Sequence, residues 1–377
     1  MDLASMFGFP SHVPTSKLAP TVQNLTIDPS CGPLPQGMLA PLSPSQVLCV
    51  SEEQGEGSHT SILTLHTGDA GTDTDTDTPS GRVTWEAVPC DLNVGRSVNY
   101  RTTANFREFT SFIHTRSCTS LTHIGGEVFM FGGVATAADM FSCRGRPHPA
   151  MSEMHVYDIA TRQWRQVPKG AGGDVDVEWP EARCIHAAYE DMGRLVIAGG
   201  HGLRGDLSCV WAYNPSTEVW QRQEDLPHVM RSPTCVCIGP SPHILSTADR
   251  GRGRHITHCM TYPPDHRHWV DELDVPFTER CVGALVHGEH MVVLTRRPDM
   301  TQMGVQYQAH GYHLVKAGWE EWGTVTEVPN FSRSSPPAQM MPGLPPCAMC
   351  VMDPGHALLV TGTSNVCIIY TTAPGVI

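Results

Sequence analysis

The feature that most constrains the fold of this chain is an aromatic pair that recurs with one spacing. In each copy a tyrosine precedes a tryptophan by seven residues: Tyr157 and Trp164, Tyr213 and Trp220, Tyr262 and Trp269, Tyr312 and Trp319. The steps from one tyrosine to the next are 56, 49 and 50 residues. A period near 50 residues is typical of proteins built from repeated supersecondary units. The sequence therefore predicts a repeat protein.

Each repeat also has the same order of segments around its aromatic pair. An arginine precedes a run of small and apolar residues, and a turn leads to a second apolar run, as in "EVFMFGG", "RLVIAGG", "PHILSTA" and "HMVVLTR". A third run carries the tyrosine and a fourth carries the tryptophan, with turn residues such as "NPST" between them. This order predicts an all-β protein in which each repeat is a four-stranded antiparallel meander.

The hydrophobic run, the double glycine and the following Tyr and Trp resemble the kelch repeat, which forms the blades of β-propellers. The resemblance is clear over residues 116–329, although the last two copies lack the double glycine. Two degenerate units flank this region, at 34–89 and 345–374. The resemblance implies a kelch-type β-propeller of six four-stranded blades over residues 31–377.

The C-terminal unit contains three strand-like runs, so it lacks one strand of a complete blade. The N-terminal segment, residues 1–30, contains the run "TVQNLTI" at 21–27. We expect this run to supply the missing strand, because a strand from the other terminus would connect the first and last blades and cover exposed edges.

The double glycines at Gly132–Gly133 and Gly199–Gly200 fit two interpretations. They could form a phosphate-binding loop, or they could end a strand in a tight turn that needs positive φ. A phosphate loop requires a following helix and a recognisable glycine motif, and neither G-x-G-x-x-G nor a Gly-Lys-Ser/Thr sequence is present. The sequence therefore favours the turn.

Composition excludes several classes of protein. The net charge of −13 argues against a general nucleic-acid binder, which needs a basic face. No stretch approaches 18 consecutive apolar residues, so no membrane span is predicted. The N-terminus lacks the basic and apolar regions of a signal peptide, and the 14 cysteines are expected to be reduced thiols. We therefore expect a cytoplasmic protein.

The potential metal ligands in the sequence fit structural roles better than metal sites. The short cysteine pairs lack a second pair at zinc-site spacing, and the alternating aspartates lack the glycine and glutamate of a helix-flanked calcium loop. Histidines also cluster, but His255 and His258 would not share a strand face. No metal site or cofactor is predicted from these groups: Cys235 and Cys237, Cys347 and Cys350, Asp73, Asp75 and Asp77, His255, His258, His266 and His268.

An arginine enters the first strand of four successive repeats, which places it at one mouth of the channel of a propeller. Such a group of guanidinium ions would form a local positive field suited to carboxylates or phosphates. The alternative is structural, with each arginine bonded to carbonyls or acids of the blades. The long link at 90–115 could reach over the same opening. The predicted partner-binding residues are Arg116, Arg183, Arg231, Arg280, Arg101 and Tyr100.

Two classes of function follow from the resemblance. The first is a protein-interaction module, a scaffold or adaptor that binds an acidic or phosphorylated partner segment on the loop-rich face. The second is an enzyme on a kelch-like scaffold, of the sugar-epimerase or metal-dependent oxidase type. An epimerase could recruit Arg183, His186 and Glu190, but no complete catalytic motif is present. The sequence favours the interaction module over an enzyme.

Overall fold

The computed structural model describes residues 21–31, 37–51, 60–66, 81–88, 97–101, 106–110, 119–134, 150–169, 178–230, 232–249, 255–263, 268–271, 275–287, 289–299, 304–328, 347–353, 356–361 and 365–370. This part of the chain forms 29 β-strands and one short 3-10 helix, η1 (Pro29–Cys31). No helix within these residues is long and apolar enough to cross a membrane. The described fold is therefore all-β, as the repeats predict.

The largest sheet, here called the terminal sheet, joins the two ends of the chain. Its eight strands lie in the order β2-β3-β4-β5-β1-β29-β28-β27. Their bounds are β1 (Thr21–Ile27), β2 (Gly37–Ser43), β3 (Gln46–Ser51), β4 (Thr60–His66), β5 (Gly81–Val88), β27 (Cys347–Asp353), β28 (His356–Thr361) and β29 (Asn365–Tyr370).

The second and third sheets are four-stranded and contain the repeats with double glycines. The second sheet consists of β8 (Ser120–Ile124), β9 (Glu127–Phe131), β10 (Met154–Asp158) and β11 (Gln163–Val167). The third consists of β13 (Ala187–Asp191), β14 (Arg194–Ala198), β17 (Val210–Asn214) and β18 (Val219–Arg222). A small cap sheet is formed by β12 (Arg183–Cys184), β15 (His201–Gly202) and β16 (Gly205–Asp206).

The fourth and fifth sheets are the repeats without double glycines. The fourth consists of β19 (Thr234–Ile238), β20 (Ser241–Asp249), β21 (His255–Thr261) and β22 (Val270–Asp271). The fifth consists of β23 (Arg280–His287), β24 (His290–Asp299), β25 (Gly304–His313) and β26 (Gly318–Val328). A separate two-stranded ribbon is formed by β6 (Ser97–Arg101) and β7 (Phe106–Thr110).

The predicted addition of the N-terminal strand to the C-terminal unit is confirmed. β1 pairs antiparallel with β29, from Thr21 opposite Tyr370 to Leu25 opposite Val366. The end of β1 then pairs in parallel with the start of β5, where Ile27 lies opposite Val83. The sequence did not predict this parallel pairing, which merges the first and last units into one sheet.

The apolar core consists of layers between successive units of four strands. The central strands β9, β10, β14 and β17 are buried at nearly every position, because another sheet covers each of their faces. One layer packs Phe129 and Phe131 of the second sheet against Leu195 and Ile197 of the third. Equivalent layers join each neighbouring pair, and the sixth packs the two halves of the terminal sheet together.

The repeated aromatic pairs share one packing geometry within their sheets. The rings of Tyr157 and Trp164 lie on directly opposed residues, with centroids 5.2 Å apart. The other three pairs have nearly the same separation, at 5.1, 5.2 and 5.1 Å. Tilted and edge-on contacts at this distance are favourable beyond the area that they bury. The fixed spacing in the sequence therefore marks one cross-strand contact in every repeat.

The leading strands of the six units contact one another in succession. A leading strand is the first strand of each unit, counting the two halves of the terminal sheet as separate units. β2 lies against β8, and the contacts continue through β13, β19, β23 and β27. β27 then lies against β2, so the series of contacts returns to its starting strand.

Candidate functional site

The long connections of the second sheet attach at one end of its strands. The register places Ser120 opposite Phe131 and Phe131 opposite Met154, so β8 begins where β9 ends and β10 begins. Val167, the last residue of β11, lies opposite Met154 at the same end. We call this the link end, and the opposite end, where short turns connect the strands, the turn end. The link end carries the connections through 89–119, 132–153 and 168–182.

The ribbon lies within the connection that precedes the second sheet. Its register places Tyr100 opposite Arg107 and Arg101 opposite Phe106. Among the strands that the structure describes, the ribbon pairs with none of the other sheets. The side chains of Tyr100 and Arg101 lie outside the described residues, so their predicted contact with a partner stays a prediction.

Arg183 occupies a buried position between the second and third sheets. Its side chain has no exposed surface, and its guanidinium donates hydrogen bonds to the carbonyl oxygens of Gly199 (3.1 Å) and Cys209 (3.2 Å). A third bond, from Nε to the Glu181 carbonyl, is 3.3 Å long. Arg183 therefore bonds to backbone carbonyls, which is the structural alternative that the sequence analysis gave for the arginines. Arg183 therefore has no free surface to offer to a partner.

The other predicted arginines lie at or beyond the edge of the described residues. Arg116 and Arg231 fall outside them. Arg280 begins β23 and lies opposite Arg296, but its side chain is also outside the described part of the chain. The contribution of these three residues to binding stays a prediction.

The double glycines form turns, and they also connect neighbouring sheets. Gly133 and Gly200 have φ values of 93° and 92°, which side-chain-bearing residues rarely adopt. The Gly133 amide donates to the Arg183 carbonyl (2.8 Å), and the Gly200 amide donates to the Met230 carbonyl (2.8 Å). These amides are engaged with backbone oxygens, so the turn prediction is confirmed in place of a phosphate loop.

His186 forms a buried polar contact at the same end of the sheets. Its Nε2 lies 2.8 Å from the hydroxyl of Ser120, which is the first residue of the neighbouring leading strand, β8. Burial, together with the nearby charge of Arg183, lowers the pKa of His186 to about 3. The imidazole is therefore neutral near pH 7 and too weakly basic to activate the serine efficiently. The sequence did not predict this contact, because the two residues belong to different repeats.

The three residues considered for an epimerase do not converge on one site. His186 precedes β13 at the link end, whereas Glu190 lies near the turn end, where its carboxylate accepts from the Gly193 amide at 2.6 Å. Four extended residues span about 13 Å. With the Arg183 guanidinium bonded to carbonyls, the described geometry gives this catalytic alternative no support.

The cysteines near the starts of the repeats mainly fill the core. Cys184, Cys281 and Cys350 are buried, because a small apolar thiol fits a crowded position. Burial raises the pKa of the Cys350 thiol far above its ordinary value. Cys237 is exposed, so it departs from this pattern.

Neither a protein-family model nor a curated protein sequence matches this chain. The class that the structure itself defines is an all-β protein of repeated four-stranded antiparallel sheets. Inferences about function therefore depend on the sheets, their connections and the side chains between them.

Proposed function

We propose that the six units are the blades of a kelch-type β-propeller. The continuous series of contacts among leading strands supports this arrangement, since the inner strands of a propeller surround one axis. The six apolar layers support it as well, because each blade of a propeller packs its two faces against its neighbours. β1 then acts as the strand that closes the last blade and connects it to the first.

We infer that this propeller is a protein-interaction module that acts as a scaffold or adaptor. The observation that carries the inference is the unequal length of the connections at the two ends of the second sheet. The turn end has tight connections, such as the one through Gly125 and Gly126, whereas the link end carries the long ones and the ribbon. Long loops on a rigid scaffold are common binding surfaces.

The charge of these connections favours an acidic or phosphorylated partner. The whole chain carries a net charge of −13, but residues 90–115 contain three arginines and only two acidic residues. Residues 135–149 contain two arginines and one aspartate. Arginine binds carboxylates and phosphates through paired hydrogen bonds, and the acidic remainder of the surface would repel such a partner elsewhere.

The proposal can be tested with three pools of fluorescein-labelled peptides that contain fixed phosphoserine, fixed glutamate or neither, flanked by degenerate positions. We expect the first two pools to raise fluorescence anisotropy on titration with the full chain. The double variant Tyr100→Ala/Arg101→Ala should weaken this binding at least about tenfold, because it removes two contacts from the ribbon.

Arg162→Ala provides the matched control, because Arg162 lies in the turn between β10 and β11 and forms an exposed ion pair with Glu86. It should leave peptide affinity unchanged and cost less than about 1 kcal/mol of stability. Equal affinity for the acidic and neutral pools, or equal weakening by both variants, would contradict the proposed binding surface.

A further inference from the structure

A group of three metal-ligating side chains lies between the third and fourth sheets. Asp271 Oδ2 is 3.1 Å from His258 Nδ1 and 3.8 Å from His228 Nε2. One potential ligand atom from each of the three residues lies within 4.8 Å of the other two. We call this group the His–Asp cluster. It is separate from the arginines and the ribbon that carry the proposed function.

Two of the three ligands share one face of the fourth sheet. Asp271 in β22 lies opposite Met260 in β21. His258 is two residues before Met260 in the same strand, so strand alternation places it on the same face as Met260 and diagonal to Asp271. Met260 is fully buried against the third sheet. His258 and Asp271 therefore face the boundary between the two sheets.

The third ligand comes from the link that connects β18 to β19. Leu226 and Met230, on either side of His228, are both buried in the apolar layer between the third and fourth sheets. Their amides donate hydrogen bonds to the Ser208 carbonyl (2.8 Å) and to the Leu207 carbonyl (3.0 Å). This anchoring holds His228 beside the other two ligands at little further entropic cost.

We propose that the His–Asp cluster binds a zinc ion. Zinc is commonly coordinated by neutral imidazoles and a carboxylate, whereas magnesium and calcium prefer oxygen ligands alone. In tetrahedral zinc sites, ligand distances near 2.1 Å place neighbouring ligand atoms about 3.4 Å apart. The distances from Asp271 Oδ2 to His258 Nδ1 (3.1 Å) and to His228 Nε2 (3.8 Å) lie on either side of this value.

The exposure of the cluster allows the ion to enter and leaves a coordination position for water. The His228 side chain is 50% exposed and that of Asp271 is 38% exposed, whereas His258 is 15% exposed. A small rotation of the more exposed His228 side chain can bring its nitrogen into the coordination sphere. The bound zinc would join the link to the fourth sheet and stabilise the boundary between two sheets.

The proposal is tested on the full chain after removal of metals with a chelator. Isothermal titration with zinc chloride at pH 7.5 should detect one saturable site per chain, and zinc should raise the melting temperature until EDTA reverses the effect. His228→Ala and, separately, Asp271→Asn should each weaken zinc binding at least about tenfold, because each removes one of three protein ligands. Circular dichroism checks that the variants remain folded.

His268→Ala is the matched control. His268 is 80% exposed, lies just before β22 and bonds to Glu224 without joining the cluster. Its replacement should leave zinc affinity unchanged. Cobalt(II) substitution distinguishes the cluster from cysteine sites, because thiolate ligands add an intense near-ultraviolet charge-transfer band. The proposal is overturned if zinc fails to saturate a site, if His228→Ala binds zinc normally, or if the cobalt spectrum shows thiolate ligation.

Discussion

The repeats with double glycines and the repeats without them end their second strands differently. In the second and third sheets, β9 and β14 are each five residues long and stop at the glycines. In the fourth and fifth sheets, β20 and β24 continue for nine and ten residues. Their pairing with the third strand extends to Asp249 opposite His255 and to Asp299 opposite Gly304.

This difference shows what the double glycine contributes to the fold. The positive φ values turn the chain out of the ladder, and the freed amide of the second glycine then bonds to the backbone that precedes the next sheet. Without the glycines, the same backbone groups stay paired within a longer hairpin. The glycines therefore exchange contacts within a sheet for contacts between sheets.

The largest expected effect comes from Gly200→Ala in the third sheet. A Cβ at this position would lie 2.7 Å from the Cys184 carbonyl oxygen and 2.7 Å from the His186 Cβ, and φ is +92°. Steric overlap and backbone strain together should reduce the free energy of unfolding by about 3–5 kcal/mol, measured by urea denaturation.

Gly193→Ala separates the two causes of that loss. Gly193 also has positive φ, +77°, but a Cβ there meets nothing within 4 Å. The Gly193→Ala variant should therefore lose only about 1–2 kcal/mol of unfolding free energy, because backbone strain is the one cause that applies. Similar losses in the two variants would show that contact between the sheets at Gly200 contributes little.

The second prediction compares arginines at corresponding positions in the two kinds of repeat. Arg183→Met should lower the free energy of unfolding by about 2–4 kcal/mol, because it removes the guanidinium donor of the buried Gly199 carbonyl and leaves the Cys209 carbonyl only its bond from the Gly199 amide. Arg280→Met should lower the free energy of unfolding by less than about 1 kcal/mol. β24 continues past the residue opposite Arg280, so its carbonyls there stay paired with β25. Urea midpoints of the two variants measure the difference. An equal loss would contradict a special role for the glycine-bearing repeats.

The smallest expected effect concerns acid and the contact between Ser120 and His186. The pKa of His186 is lowered to about 3, whereas an unfolded histidine titrates near 6.5. As the pH falls from 6.5 toward 3, the unfolded chain binds a proton that the folded chain does not. Stability is therefore lost with acid, by about 1–2 kcal/mol between pH 7 and pH 5 for this residue.

His186→Thr should remove this acid-dependent part, because Thr119 and Thr234 occupy corresponding positions in the second and fourth sheets. Urea unfolding of the wild-type chain and the variant at pH 7 and pH 5 isolates the contribution of His186 from that of the other histidines. If both proteins lose the same stability over this range, His186 is not the residue that responds.

Much of the fold could be predicted from the sequence because its information is local and repeated. The repeated spacing placed Tyr157 and Trp164 on the third and fourth strands of one unit, and the run at 21–27 predicted the strand that joins β29. The sequence did not predict the parallel pairing of β1 with β5. The residues of β1 indicate a strand, but they do not specify which second strand pairs with its other edge.

The candidate site was harder to predict because a sequence pattern places a residue but does not determine its environment. The repeated position of Arg183 was identified, yet only the packed sheets surround its guanidinium with carbonyls. The His–Asp cluster was missed because His228, His258 and Asp271 lie on three separate segments. Only one of them belonged to the histidine group that the sequence singled out.

The sequence by itself determined the period, the type of secondary structure, the aromatic pairs and the turns at the double glycines. These features depend on strand alternation, backbone conformation and neighbours within one hairpin, all of which a short segment encodes. The tertiary structure alone decided the burial of Arg183, the neutral state of His186 and the meeting of three possible zinc ligands. Those properties arise where different sheets pack together, and residues distant in sequence become neighbours only there.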